Sequence, residues 1–129
     1  MLTDNEKAEA VRDYVRRTTG SETLYRHALN RNLLYTDGVR FLAETCGSWW
    51  LLDFVATMPG PWMCEPFNVW RITGDGARGV IVEAWTDTPG TEGSTLLLRK
   101  KISYSDFPRE LMPFEWWVEN RTMMLKEER

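Results

Sequence analysis

Tyr35-Thr36-Asp37-Gly38-Val39-Arg40-Phe41-Leu42-Ala43-Glu44-Thr45-Cys46-Gly47-Ser48-Trp49-Trp50-Leu51-Leu52-Asp53-Phe54-Val55-Ala56-Thr57-Met58 is the most apolar stretch of the chain, and it carries two helix-start signals. Thr36 or Asp37 can cap a helix, because a short side-chain oxygen accepts from the free N–H groups of a first turn. Val39, Leu42, Ala43 and Cys46 then recur at i, i+3, i+4 and i+7, one helical face. Gly47 suits the left-handed residue that ends a helix. Ser48 restarts one, Leu51, Phe54, Val55 and Met58 repeat the spacing, and Pro59 stops it. The stretch predicts two short core helices. A proline at position 38 would be expected to be harmless there, as in any first turn.

Upstream, Thr3-Asp4-Asn5-Glu6 has the spacing of a capping box. Ala8, Val11 and Val15 make a thin apolar stripe, so this first helix should pack along one edge, ending at Thr18-Thr19-Gly20. Ser21 is a candidate cap for a short turn bearing Tyr25 and Leu29. Asn30-Arg31-Asn32 reads as a turn, and Leu33-Leu34-Tyr35 as an approach to the core helices.

Downstream the period changes. Pro59-Gly60-Pro61-Trp62-Met63-Cys64-Glu65-Pro66 reads as a loop, since proline lacks a donor and restricts the residue before it. From Phe67 the pattern alternates. Phe67–Ile72 and Val80–Thr86 predict a hairpin across a glycine-rich turn, and Thr95–Ile102 a third strand. Phe114–Val118 and Thr122–Lys126 predict a last hairpin across Glu119-Asn120-Arg121. Helices first and strands afterwards imply an α+β fold, with helices on one face of an antiparallel meander of about five strands. One domain is expected over residues 1–129, with a helical half to about residue 58 and a sheet half over about 67–127.

The composition excludes several classes. An apolar fraction of 43% and a charged fraction of 27% of mixed sign belong to a globular chain of 129 residues. A net charge of −3 argues against general nucleic-acid binding, which draws on a basic surface. No apolar run of about 18 residues suggests a membrane span, and no secretory signal opens the chain. Two cysteines in that setting read as free thiols of a cytosolic protein.

His27 is the only histidine, which removes every site needing two imidazoles, including the common catalytic zinc sets. No metal and no cofactor is expected. His27 with Asp37, flanked by Tyr25 and Tyr35, is the one candidate general base, and would make a small hydrolase or transferase. The plainer reading has Asp37 capping a helix and His27 donating to a carbonyl, and capping alone accounts for Thr36-Asp37-Gly38. Cys46, on an apolar helical face, is expected in the core, and Cys64 in an exposed loop. Asp53 interrupts an apolar helix. It either faces solvent or pairs with Arg71 or Arg99. Arg99-Lys100-Lys101 on a strand, with Arg12, Arg16 and Arg17 on the first helix, is the candidate surface for a nucleic-acid-binding protein, the second alternative; the run splits across two faces of its strand, which fits a guarded edge better.

The seven tryptophans are the unusual number. Tryptophan is enriched at protein interfaces. In a strand, Trp116 and Trp117 must point to opposite faces. Phe114, Trp116 and Val118 fit the core, which leaves Trp117 with Glu115 and Glu119 on the other side. Trp117, Trp70, Trp85 and Trp62 are therefore the candidate binding residues. Together they favour a non-enzymatic protein that binds a protein partner or forms a homodimer.

Leu24-Tyr25-Arg26-His27, Leu34-Tyr35-Thr36-Asp37-Gly38-Val39, Trp50-Leu51-Leu52-Asp53 and Tyr104-Ser105-Asp106-Phe107-Pro108 resemble a family of small uncharacterised bacterial proteins carried on plasmids, phages and other mobile elements. The resemblance spans roughly residues 21–127 and leaves the first helix outside it. It implies a genomic setting, and with it a regulatory or inhibitory role towards a host process such as defence. It supplies no reaction and no site residues.

Overall fold

The computed structural model describes residues 2–18, 20 and 23–128. The expected helix end at Thr19 and the cap at Ser21 lie outside them. Among the described residues there are four α-helices and a seven-stranded, mostly antiparallel open sheet. The helices are α1 (Asp4–Arg17), α2 (Asp37–Cys46), α3 (Trp49–Thr57) and α4 (Gly60–Cys64). The strands are β1 (Leu24–Arg26), β2 (Leu34–Thr36), β3 (Phe67–Asp75), β4 (Gly79–Trp85), β5 (Leu96–Ile102), β6 (Phe114–Glu119) and β7 (Thr122–Leu125).

Local chemistry starts α1 and α2 as the residue types suggest, whereas α3 follows Ser48 without a capping bond from its side chain. Glu6 N–H donates to Thr3 Oγ1 at 3.1 Å and Thr3 N–H donates to Glu6 Oε1 at 2.9 Å, a complete capping box for α1. Thr36 caps α2 by accepting from Val39 N–H at 3.3 Å, and Gly47 ends it at φ 64°. Val39, Leu42, Ala43 and Cys46 are the buried face of α2. The proline-rich loop is corrected: residues 60–64 form the short helix α4. Pro61 sits in its first turn, where a backbone N–H has no helical partner to lose.

The sheet order is β1-β2-β7-β6-β3-β4-β5, so the expected five strands become seven. The additions are β1 and β2, three residues each and too short to show a period. They form because β7 offers an edge, against which β2 pairs in parallel with Leu34 opposite Thr122. The expected meander is also broken. After β5 the chain returns to the far side of β3, so β6 pairs with β3 while β5 ends the sheet. Asn120 and Arg121, at φ 50° and 63°, make the tight β6–β7 turn.

One face of the sheet meets the helices. Trp70, Ile72, Val80, Val82, Ala84, Trp116, Val118, Met123 and Leu125 share a continuous core with Val11, Leu42, Leu51, Val55 and Trp62. Burial alternates along β4 and β6 as a half-covered sheet requires. Trp116 and Val118 point inward and Trp117 outward, the predicted strand phase.

Glu128 reaches back from the C-terminal 3-10 turn Lys126–Glu128 to the start of α2. Its carboxylate accepts from Thr36 Oγ1 at 2.6 Å, Gly38 N–H at 3.0 Å and Leu125 N–H at 2.9 Å. The negative charge stands at the positive end of a helix dipole. This corrects the expectation for proline at position 38, because the Gly38 N–H is a donor to a buried acid.

Candidate functional site

The outer face of the sheet carries a cross-strand row. Val69 on β3 lies opposite Trp85 on β4 and opposite Trp117 on β6, and Trp117 lies opposite Met124 on β7. Side chains directly opposite on one face stand within contact of each other. Val69 is fully buried, yet it is not part of the helix-side core, so its outer-face neighbours bury it. Phe67 packs edge-on to Trp117 at 5.2 Å. Trp85 Nε1 donates to Glu83 Oε1 at 3.4 Å. Trp85, Trp117, Phe67 and Met124 are each only half-buried.

Beside that row runs a charged one. Glu83 lies opposite Arg99 and Arg71, and Arg71 opposite Glu115. Arg99 and Glu83 stand at 3.4 Å, Arg71 and Glu115 at 3.7 Å, and Lys126 and Glu115 at 3.9 Å. Alternating charges on neighbouring strands offset each other and give the aromatic row a polar border along this side.

The other two binding candidates lie elsewhere. Trp62 and Trp70 are buried, with 2% and 0% of their surface exposed, and belong to the core. Trp62 Nε1 donates to Val55 O at 2.8 Å and Trp70 Nε1 to Asn68 Oδ1 at 2.7 Å, which lets both rings sit in apolar surroundings. Trp49 is the tryptophan that sequence reasoning passed over. It is 41% exposed and stands edge-on to Tyr35, which stacks on Tyr25. Nothing in the spacing of the Trp49-Trp50 pair marks which ring would be exposed.

Tyr25 and Tyr35 are register partners on β1 and β2, 5.4 Å apart, with Arg40 above Tyr25. His27 is paired with Asp53, Nε2 to Oδ1 at 2.8 Å. Asp37 starts α2 beside the Glu128 carboxylate. His27 Nδ1 accepts from the N–H groups of Leu29 and Asn30, at 3.2 and 3.1 Å. The proton therefore sits on Nε2, which donates to Asp53. Both ring nitrogens are occupied, and no lone pair remains to take a proton from a substrate. The partner of Asp53 is thus His27, in place of the arginines of the sheet, and Asp53 itself is solvent-exposed.

Cys46 is buried and Cys64 exposed, both as free thiols. Burial pushes the Cys46 thiol up from 9.0 to about 11, which keeps it protonated. Among the described residues no group of three or more His, Cys, Asp or Glu side chains is placed to hold a metal ion. Nor is any helix there long and apolar enough to cross a membrane. The arginines of α1 are matched by their own helix: Arg12 with Glu9 at 2.9 Å, Arg16 and Arg17 with Asp13 at 3.5 and 2.8 Å.

Fold and surface define an α+β protein with helices on one side of an open sheet and an aromatic row on the other. The chain belongs to a family of unknown function, DUF6876, whose model matches residues 9–129. The match takes in most of α1, which the sequence resemblance had left outside. Neither the curated proteins nor the solved structures gave a match.

Proposed function

We propose that this is a non-enzymatic protein that acts by binding another protein through the outer face of its sheet. The observation that carries the reading is the Trp85–Val69–Trp117–Met124 row, set on the face away from the helices and bordered by paired charges. Large aromatic rings over a rigid sheet contribute contact area at low entropic cost, and a polar border excludes water around them. The resemblance of Tyr35–Val39 and Trp50–Asp53 to proteins of plasmids and phages supports a mobile-element setting. In that setting the partner is a host protein, and the outcome is regulation or inhibition of a host process such as defence. The two free thiols fit a cytosolic compartment.

The test is affinity capture from a bacterial host lysate, run beside light scattering of the purified chain. The reading expects one specific partner, lost with Trp117→Ala, or a homodimer that the same substitution dissociates. A monomer that captures nothing overturns it.

A further inference from the structure

Strand β5 ends the sheet, so the backbone N–H and C=O groups along its free side have no neighbouring strand. Its two halves differ in chemistry. Leu96 and Leu97 are apolar and exposed, at 41% and 36%. Arg99, Lys100 and Lys101 follow, all exposed. Arg99 is engaged by Glu83, whereas Lys100 and Lys101 make no ion pair among the described residues. Beneath the apolar half lies a groove of about 490 Å³, walled by Met58, Pro61, Cys64, Glu65, Leu97 and Leu98. Leu98 lies opposite Ala84, an inner-face residue, so it looks towards the helical layer where that layer stops short of the sheet edge.

We propose that the β5 edge takes an extended acidic peptide segment of a partner protein, which adds a strand to the sheet and seats an apolar side chain in the groove. The proposal rests on the protein-binding reading but not on the outer-face tryptophans. Main-chain bonding along an open edge supplies affinity, and side-chain pockets at alternate positions supply selection. Alternation fixes the rest. The partner residue opposite Leu98 points to the groove and is apolar. The residue opposite Lys100 shares that face, the residue opposite Lys101 lies on the other, and both are acidic. The preferred segment therefore has two adjacent acids and an apolar residue two positions from the nearer acid. Glu65, itself a wall of the groove, disfavours an acid as the side chain seated there. A second copy of the chain is the wrong occupant. Full antiparallel pairing of β5 with itself sets Arg99 opposite Arg99, Lys100 opposite Leu98 and Lys101 opposite Leu97. Like charges directly opposite destabilise a strand pair.

The experiment pans the immobilised chain against a displayed library of random peptides of about twelve residues, long enough to span β5 at ~3.3 Å per residue. Enriched peptides are then measured by fluorescence polarisation and by amide shifts. The proposal expects the acid–acid–x–apolar pattern in either chain direction, with shifts confined to Leu96–Ile102 and the groove walls. Lys100→Glu combined with Lys101→Glu, both exposed and harmless to folding, should weaken binding about tenfold or more. Trp117→Ala should leave it unchanged. No enrichment, an enriched set without acids, indifference to the double charge reversal, or shifts on another surface each overturn the proposal. If those results accompany a partner captured through Trp117, the edge proposal falls and the outer-face reading stands. Peptide capture with no lysate partner and a monomeric chain gives the reverse.

Discussion

A side chain at position 38 would have to stand where the carboxylate of Glu128 already is. An added Cβ would overlap all three atoms of that carboxyl group, which lies over the first turn of α2 and accepts from its N–H. The glycine is needed for this approach and not for an unusual backbone angle.

Gly38→Ala should therefore destabilise the protein by about 2–4 kcal/mol, because the acid must move away from three donors in a buried place. Gly38→Pro should do at least as much harm. Glu128→Ala should cost about 2 kcal/mol alone, and Gly38→Ala should cost much less on top of it. Urea unfolding of the two single variants and the double variant measures the coupling. Additive losses would show that the two residues act independently.

His27 and Asp53 divide a second cost unequally. His27→Ala removes the acceptor for two backbone N–H groups and should cost about 2–3 kcal/mol. Asp53→Asn keeps an acceptor for Nε2 and should cost under about 1 kcal/mol. Asp53→Leu leaves the Nε2 proton of a nearly buried ring unpaired and should fall between them. Shifts in the urea midpoint decide this, and equal losses in all three variants would contradict the assigned tautomer.

Adjacent tryptophans on β6 should behave oppositely. Trp116→Ala empties a site in the core and should cost about 3–5 kcal/mol. Trp117→Ala uncovers Val69 and gives up the contact with Phe67, at about 1–2 kcal/mol, and on the proposed reading also abolishes partner capture. Thermal unfolding and partner capture, run on both variants, separate the two roles.

The two thiols should differ in reactivity. In the native protein a thiol reagent near pH 8 should label Cys64 fast, and Cys64→Ser should abolish the fast phase. Cys46 should react only on unfolding. Its folded-state pKa, about 11, lies above the unfolded value of 9.0. Its contribution to stability is present below pH 9 and is lost as pH rises towards 11, because the unfolded chain ionises first. Cys46→Ala should remove that part of the alkaline loss in a pH series of unfolding curves.

Much of this architecture is written in short-range chemistry. Thr3 with Glu6, Thr36 with Val39, Gly47, and the Asn120-Arg121 turn act on partners a few residues away, so their spacing is legible in the chain. The phase of β6 is legible for the same reason: alternation alone sends Trp116 inward and Trp117 outward. The α4 helix was hidden because prolines that break a helix interior are harmless in a first turn.

Periods and caps within about ten residues set the α+β class, the starts of α1 and α2, the five longer strands and the two-faced sheet. Packing of the whole chain chose the partners across distance. It put β1 and β2 beside β7, moved β6 next to β3, paired His27 with Asp53 and brought Glu128 over Gly38. It also sorted four tryptophans of similar local appearance into two core residues, Trp62 and Trp70, and two outer-face residues, Trp85 and Trp117. The reason is that burial and strand order follow from which apolar faces meet when the whole chain packs, and pairs some 26 or 90 residues apart leave no periodic trace in the sequence.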